Sequence, residues 1–189
     1  MISAILLAAG QSKRMVGENK LTKEIQGVPL IKHSVKNILA ASIDELIIVL
    51  GYQKEIIEKL IDKNNKIKFV FNKDFENGMA SSIKAGLNYL SEDTEAFFIC
   101  LGDMPMVNKD IFNLLIKSKN NREIIVPTYK NKQGNPILFA KSMKKKIMTI
   151  EGDIGAKKIL ELNKDKILNI ETNDQSVTKD FNAPANFIT

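Results

Sequence analysis

"ISAILLAAGQSKRMVGENK", Ile2 to Lys20, opens as an apolar run interrupted only by Ser3 and ends in glycine, small polar residues and basic charge. Ile2, Ala4, Ile5, Leu6 and Leu7 read as a strand covered on both faces, as in a parallel sheet. The chain then turns near Gly10, at the sheet edge where such folds place their ligands. The run recurs down the chain. Further strands are expected at about 45–50 ("ELIIVL"), 67–71, 96–101 ("AFFICL"), 123–127, 136–140 and 166–170. Amphipathic helical runs lie between them at about 29–41, 52–62, 80–90, 108–118, 142–148 and 155–162. Strand and helix alternating in this way argue for an α/β fold, a parallel sheet with helices on both faces. Pro29 suits a helix's first turn, and Asn108 the cap of the helix after "DMPMV".

With 189 residues and no repeat or linker-like composition shift, one domain spanning 1–189 is expected. The single cysteine, Cys100, lies in "AFFICLG"; it reads as a small buried hydrophobe in a reducing compartment, which implies a cytoplasmic protein. No apolar run approaches the ~20 residues of a membrane span. The formal charge of +6 is carried almost wholly by scattered lysines, with only Arg14 and Arg122 as arginines and no tryptophan. That is a poor supply of stacking platforms and argues against a nucleic-acid partner. A small polyanion suits the same field.

Ligands of a parallel sheet sit beyond the carboxyl ends of its strands, so the loops after strands carry the chemistry. The first loop lacks the G-x-G-x-x-G of a dinucleotide site, and Gly10 and Gly17 are too far apart for a P-loop. What remains is Ala8-Ala9-Gly10, whose small side chains leave backbone groups accessible, followed by Ser12, Lys13, Arg14 and Lys20. Arg14 offers a fork and Lys20 a mobile point charge, a set able to grip a triphosphate. A solvated connection is the plainer alternative. "LGDMPMV" delivers Asp103 at a strand's tip behind Gly102. A carboxylate beside phosphates calls for a cation, which makes Asp103 a candidate Mg²⁺ ligand; a turn or cap aspartate is the other reading. His33, the only histidine, falls within a helical run and reads as a surface or packing residue, and Met104 and Met106 read as core fillers.

"LAAGQSKRM" with "NKL", then "NGMASSIKAGL", "LGDMPMV", "QGNPILF", "GDIGAKKIL" and "DFNAP" resemble, in order, the motifs of the MobA-like nucleotidyltransferases, and among them the molybdenum cofactor cytidylyltransferases. The resemblance implies a Rossmann-like three-layer αβα fold with a mostly parallel sheet. It implies that Leu7, Ala8, Ala9, Gly10, Ser12, Arg14 and Lys20 bind a nucleoside triphosphate, with Lys20 against the α-phosphate and Lys20, Arg14 and Asp103 as the catalytic set. Gly78, Ser81 and Ser82 would frame the base and ribose, and the serines' first-turn N–H groups could face an anion. A helix-cap role serves the serines equally well. Asp103 would hold Mg²⁺ with Asn182, or with Asp180, because the late motif here reads "DFNAP" where relatives carry Asp-x-Asp or Asn-x-Asn before Thr-Pro. Ala9 stands where guanylyl-transferring relatives carry a second glycine, which leans toward CTP. Gly134, Asn135 and Pro136, together with Gly152, Asp153 and Gly155, would face a molybdopterin-type acceptor. The activity so implied is CMP transfer from CTP to that acceptor with release of pyrophosphate. Transfer to another small phosphate acceptor, or a cofactor carrier handing its cargo to a molybdenum hydroxylase, are the alternatives.

Overall fold

The computed structural model describes residues 1–12, 18–152, 155 and 157–181. Arg14, Asp153 and Asn182 lie outside them. In chain order the strands are β1 (Ile2–Ala8), β2 (Glu24–Ile25), β3 (Val28–Pro29), β4 (Glu45–Leu50), β5 (Ile67–Phe71), β6 (Ala96–Leu101), β7 (Ile124–Tyr129), β8 (Lys132–Gln133), β9 (Ile137–Ala140) and β10 (Ile167–Glu171). The α-helices are α1 (Leu30–Leu39), α2 (Lys54–Leu60), α3 (Met79–Asn88), α4 (Lys109–Lys117), α5 (Lys144–Ile147) and α6 (Lys157–Leu162). The main sheet runs in the order β10-β7-β9-β6-β1-β4-β5, and β8 pairs with β7. β1 pairs in parallel with β4 and β6, β4 with β5, and β7 with β10; β9 runs antiparallel between β6 and β7.

The central strands read as continuous apolar runs because successive side chains enter opposite faces and both faces are covered. Ala4, Leu6, Ala8, Phe98 and Cys100 pack with Ile31, Val35, Phe112 and Leu115 of α1 and α4. Ile5, Ile47, Val49, Phe97 and Ile99 pack with Ile83 and Leu87 of α3 on the other side. Phe98 meets Phe112 edge-on at 5.1 Å, and Phe97 stacks on Phe139 at 5.8 Å. Cys100 is buried, and its surroundings push the thiol pKa far up, so it serves as a hydrophobe. Asn108 caps α4, its side chain accepting from the Asp110 and Ile111 amides. Pro29 closes β3 immediately before α1, one residue short of the expected helical turn. Met104 is buried, but Met106 is 56% exposed and fills no core gap. No described helix is long and apolar enough to cross a membrane.

At the amino ends of the strands a buried carboxylate ties four segments together. Glu45, 3% exposed, accepts from Ser3 Oγ (2.7 Å), Ser91 N (3.0 Å), Ser91 Oγ (2.8 Å) and Lys68 Nζ (2.7 Å). Burial opposes its ionisation, but the hydrogen bonds from Lys68, Ser3 and Ser91 outweigh it and hold the pKa at about 2, below the ordinary 4.5. A depressed carboxylate pKa stabilises the fold above the unfolded-state value and ceases to do so as pH falls through the folded-state value. Glu45→Gln is therefore expected to lower stability at pH 7 by on the order of 3 kcal/mol. The gap between wild type and variant should close between pH 4.5 and about 2, a window that urea unfolding at stepped pH reads directly. A gap that stays constant down to pH 2 would contradict this assignment.

Candidate active site

The carboxyl ends of β1, β4, β5 and β6 lie side by side, and the loops leaving them form the candidate site. Leaving β1, Ala8 and Ala9 are buried while Gly10 is exposed. A methyl group added at Gly10 would meet nothing within 4 Å among the described residues, so its backbone is open on that side. The Ala9 methyl turns inward, against Gly51 at the end of β4, and its carbonyl accepts from the Tyr52 amide at 3.2 Å. Ser12 adopts a left-handed φ of 51°, and its Oγ accepts from the Lys20 amide at 3.1 Å. The two ends of the loop are thus clasped to each other.

Lys20 begins a short 3-10 turn, Lys20–Thr22, in which Asn19 Oδ1 accepts from the Leu21 amide at 3.1 Å and Leu21 is buried. Leu21 lies against Gly102: a Cβ there would sit 3.3 Å from Leu21 Cδ2 and 2.9 Å from the Leu7 carbonyl. Glycine at 102 is therefore what lets the β6 tip approach β1 and the Lys20 turn. Ser34 Oγ of α1 donates to the Gly102 carbonyl at 3.0 Å and fixes the same loop from below. The outcome is direct contact. Lys20 Nζ lies 2.5 Å from Asp103 Oδ2, with the two side chains 20% and 15% exposed.

The late motif arrives at the same place, since the Phe181 amide donates to the Asp103 carbonyl at 2.9 Å and sets Asp180 and Phe181 beside this loop. Among the described residues no group of three or more His, Cys, Asp or Glu gathers. Asp103 suits a hard cation that takes one or two carboxylates and completes its shell with substrate oxygens, as Mg²⁺ does. Its Oδ2 already accepts from a cationic group, the Lys20 ammonium, at 2.5 Å, so the charge of the carboxylate fits a cation.

On the β5 side, Asn72 joins the two serines: its Nδ2 donates to Ser81 Oγ (2.8 Å) and Ser82 Oγ (3.0 Å). Ser81 Oγ donates back to the Gly78 carbonyl at 2.8 Å, so the serines hold the start of α3 together. The Ala80 amide donates to the Gly152 carbonyl at 3.0 Å, and the Ser81 amide to the Gly78 carbonyl at 3.2 Å. These first-turn donors are engaged within the chain itself. Gly152 and Gly155 therefore come to α3, with Gly155 against Met79. Beside them runs a groove of about 580 Å³ lined by Asn72, Asn77, Ser81, Lys84 and Gly152.

Gly134, Asn135 and Pro136 sit elsewhere. The Asn135 amide donates to the Val177 carbonyl at 2.8 Å, and a Cβ at Gly134 would come within 2.3 Å of that same oxygen. Asn135 and Pro136 share a small void with Leu101 and Met104, which places them behind the Asp103 loop. The two motifs assigned to the acceptor are thus anchored to different elements, one at α3 and one beside β6. His33 Nε2 rests against the Ile25 carbonyl at 3.0 Å. Sequence reading missed Asn72, whose only signal was an amide directly after a strand, and missed Phe181.

The model of the MobA-like NTP transferase domain matches residues 4–168. The chain belongs to the MobA-like NTP transferase family. It is 31% identical over 153 residues to a probable molybdenum cofactor guanylyltransferase of Methanosarcina acetivorans, a match covering 79% of this chain and 67% of the relative. It is 33% identical over 141 residues to the molybdenum cofactor cytidylyltransferase of Escherichia coli, covering 74% and 70%. A Methanosarcina mazei relative, also named a probable molybdenum cofactor guanylyltransferase, is matched over 64% of its length. Among solved structures, a nucleotidyl transferase from Methanothermobacter thermautotroptrophicus superposes with a TM-score of 0.85 at 19% identity, covering 99% of this chain and 94% of that one. Rv0371C of Mycobacterium tuberculosis, in complex with manganese, superposes with a TM-score of 0.77 at 19% identity, covering 90% and 87%. At these identities the structural likeness shows the fold, a Rossmann-like α/β nucleotidyltransferase architecture, and the MobA-like assignment rests on the sequence match.

Proposed function

We propose that this MobA-like protein is a Mg²⁺-dependent nucleotidyltransferase that moves CMP from CTP to the phosphate of molybdopterin or its molybdenum form, releasing pyrophosphate. The observation that carries the reading is the Lys20–Asp103 contact at the joined strand ends, beside the exposed backbone of Gly10. The acceptor's phosphate monoester, with a second pKa near ~6, is already largely ionised at neutral pH. One of its oxygens forms the new bond to the α-phosphorus while the bond to the bridging oxygen breaks and pyrophosphate departs with that electron pair. No general base is required. The chain's work is to align two polyanions and offset their charge.

In this reading Lys20 sets its ammonium against the α-phosphate, and Arg14 adds a second cation from the same loop. Gly10 offers its backbone, and the Ser12–Lys20 clasp holds the loop's ends. Asp103, with Asn182 or Asp180, would hold Mg²⁺, which when bound supplies neutralisation of the phosphate oxygens. Gly78, Ser81 and Ser82 frame the nucleoside side. Of the residues assigned to the acceptor, Asn135 and Pro136 lie beside Leu101 and Met104 of the Asp103 loop, and Gly152 lines the open groove at α3. A manganese complex of a protein with this fold accords with a divalent ion.

CTP is favoured by Ala9 and by the E. coli relative. A relative named for guanylyl transfer matches over a longer stretch, 31% identical over 153 residues, so the decisive assay offers all four triphosphates together with isolated molybdopterin and Mg²⁺. Mass spectrometry should show the CMP–pterin conjugate dominant, with stoichiometric pyrophosphate. A dominant GMP conjugate would overturn the base assignment. Binding of the pterin without any conjugate would replace the enzyme with a carrier.

A further inference from the structure

The contact that marks the site also occupies it. Asp103 Oδ2, the atom offered to a divalent cation, accepts from Lys20 Nζ at 2.5 Å, and the two side chains are largely shielded from solvent. The two partners are held in different ways. Asp103 sits on a short loop fixed by Ser34 through the Gly102 carbonyl and by the Phe181 amide through its own carbonyl. Lys20 is fixed at its backbone, by Ser12 Oγ and by the Asn19–Leu21 turn. Between that backbone and the ammonium lies a flexible four-carbon stem. The carboxylate is therefore a fixed post, and the ammonium a head whose stem lets it exchange one anion for another.

A divalent cation approaching Asp103 alone meets a carboxylate whose charge is already neutralised, and must drive the ammonium into a shielded space. Separating such a pair is costly unless the displaced charge finds a new partner. A triphosphate supplies one. We propose that Lys20 is a built-in counter-ion for Asp103 that keeps divalent cations out until a nucleoside triphosphate draws the ammonium away, so that cation and nucleotide are taken up together. By linkage, nucleotide then raises cation affinity by the same factor by which the cation raises nucleotide affinity. This rests on the nucleotidyltransferase reading above and adds an order of binding to it.

The test is a titration of the full chain with Mn²⁺ alone, read by the electron paramagnetic resonance signal of the free ion, for wild type, Lys20→Met and Lys20→Met/Asp103→Asn. Wild type should bind Mn²⁺ weakly. Lys20→Met should bind it at least about tenfold more tightly, and the double variant should lose that gain. Circular dichroism confirms folding, with Lys20→Gln as the substitute should the methionine variant not fold. Equal Mn²⁺ affinity in wild type and Lys20→Met, or a gain that survives Asp103→Asn, would overturn the proposal. Calorimetric titration of wild type with each of the four nucleoside triphosphates in the presence of Mn²⁺ is run alongside. If no nucleotide binds, the nucleotidyltransferase reading falls and takes this one with it; if it binds while the Mn²⁺ affinities stay equal, only the counter-ion role falls.

Discussion

Asp103→Asn is expected to cut pyrophosphate release at saturating CTP and acceptor by about 10³-fold, while the fold persists. The substitution keeps the side chain's shape and leaves the residue 103 carbonyl able to accept from the Phe181 amide, so the loop retains its anchors. What is lost is the negative charge. Without it the site no longer attracts a divalent cation, and the protein forfeits a stabiliser of transition-state charge, a loss commonly worth about 10²–10³ in rate. Replacing the carboxylate that Lys20 binds should cost about 1 kcal/mol of stability, because the amide oxygen of the asparagine side chain can still accept from the shielded ammonium. Melting temperature is expected to move by a few degrees at most, since about 1 kcal/mol corresponds to roughly 2–4 °C at this chain length. Steady-state assays over a range of Mg²⁺ concentrations supply the check. Turnover within about tenfold of wild type would show that Asp103 holds no essential cation.

Much of this arrangement was legible because the residues that matter follow strands that read clearly. β6 is an unbroken apolar run and β1 is interrupted only by Ser3; both are covered on both faces and lead into glycine and charge, so Lys20 and Asp103 could be assigned to one sheet edge. Direction was less legible. β9 is as apolar as its neighbours, and only the shortness of the link from β7 through β8 forces it antiparallel, since a parallel return needs a crossover of about a dozen or more residues. The two-residue strands β2, β3 and β8 carry no periodicity at all. Their signal is turn chemistry, Gln26-Gly27 and Lys130-Asn131, each pair at positive φ. The serine motif failed to reveal its state for a different reason. Whether the first-turn amides of α3 are engaged depends on Gly152, far away in the chain, and no local pattern records that contact.

Lys20→Met should lower kcat by about 10²–10³ and raise the KM for CTP by much less. On the proposed function, ground-state grip on the triphosphate would be shared among the Gly10 backbone, Arg14 and the cation at Asp103, so one ammonium would contribute a fraction of it. If Lys20 lies against the α-phosphate as proposed, charge that spreads onto its oxygens in the transition state would meet a pre-placed ammonium, whose attraction is stronger there than in the resting complex. Methionine keeps much of the stem's length and removes only the charge, which separates this effect from a packing defect. The same substitution is expected to raise affinity for Mn²⁺ alone, so one variant should hold its cation better and use it worse. A residue that merely cements the loop would move stability, cation affinity and turnover in the same direction. A rise in KM with kcat intact would instead make Lys20 a simple tether for phosphate, leaving Arg14 to meet the charge that develops during transfer.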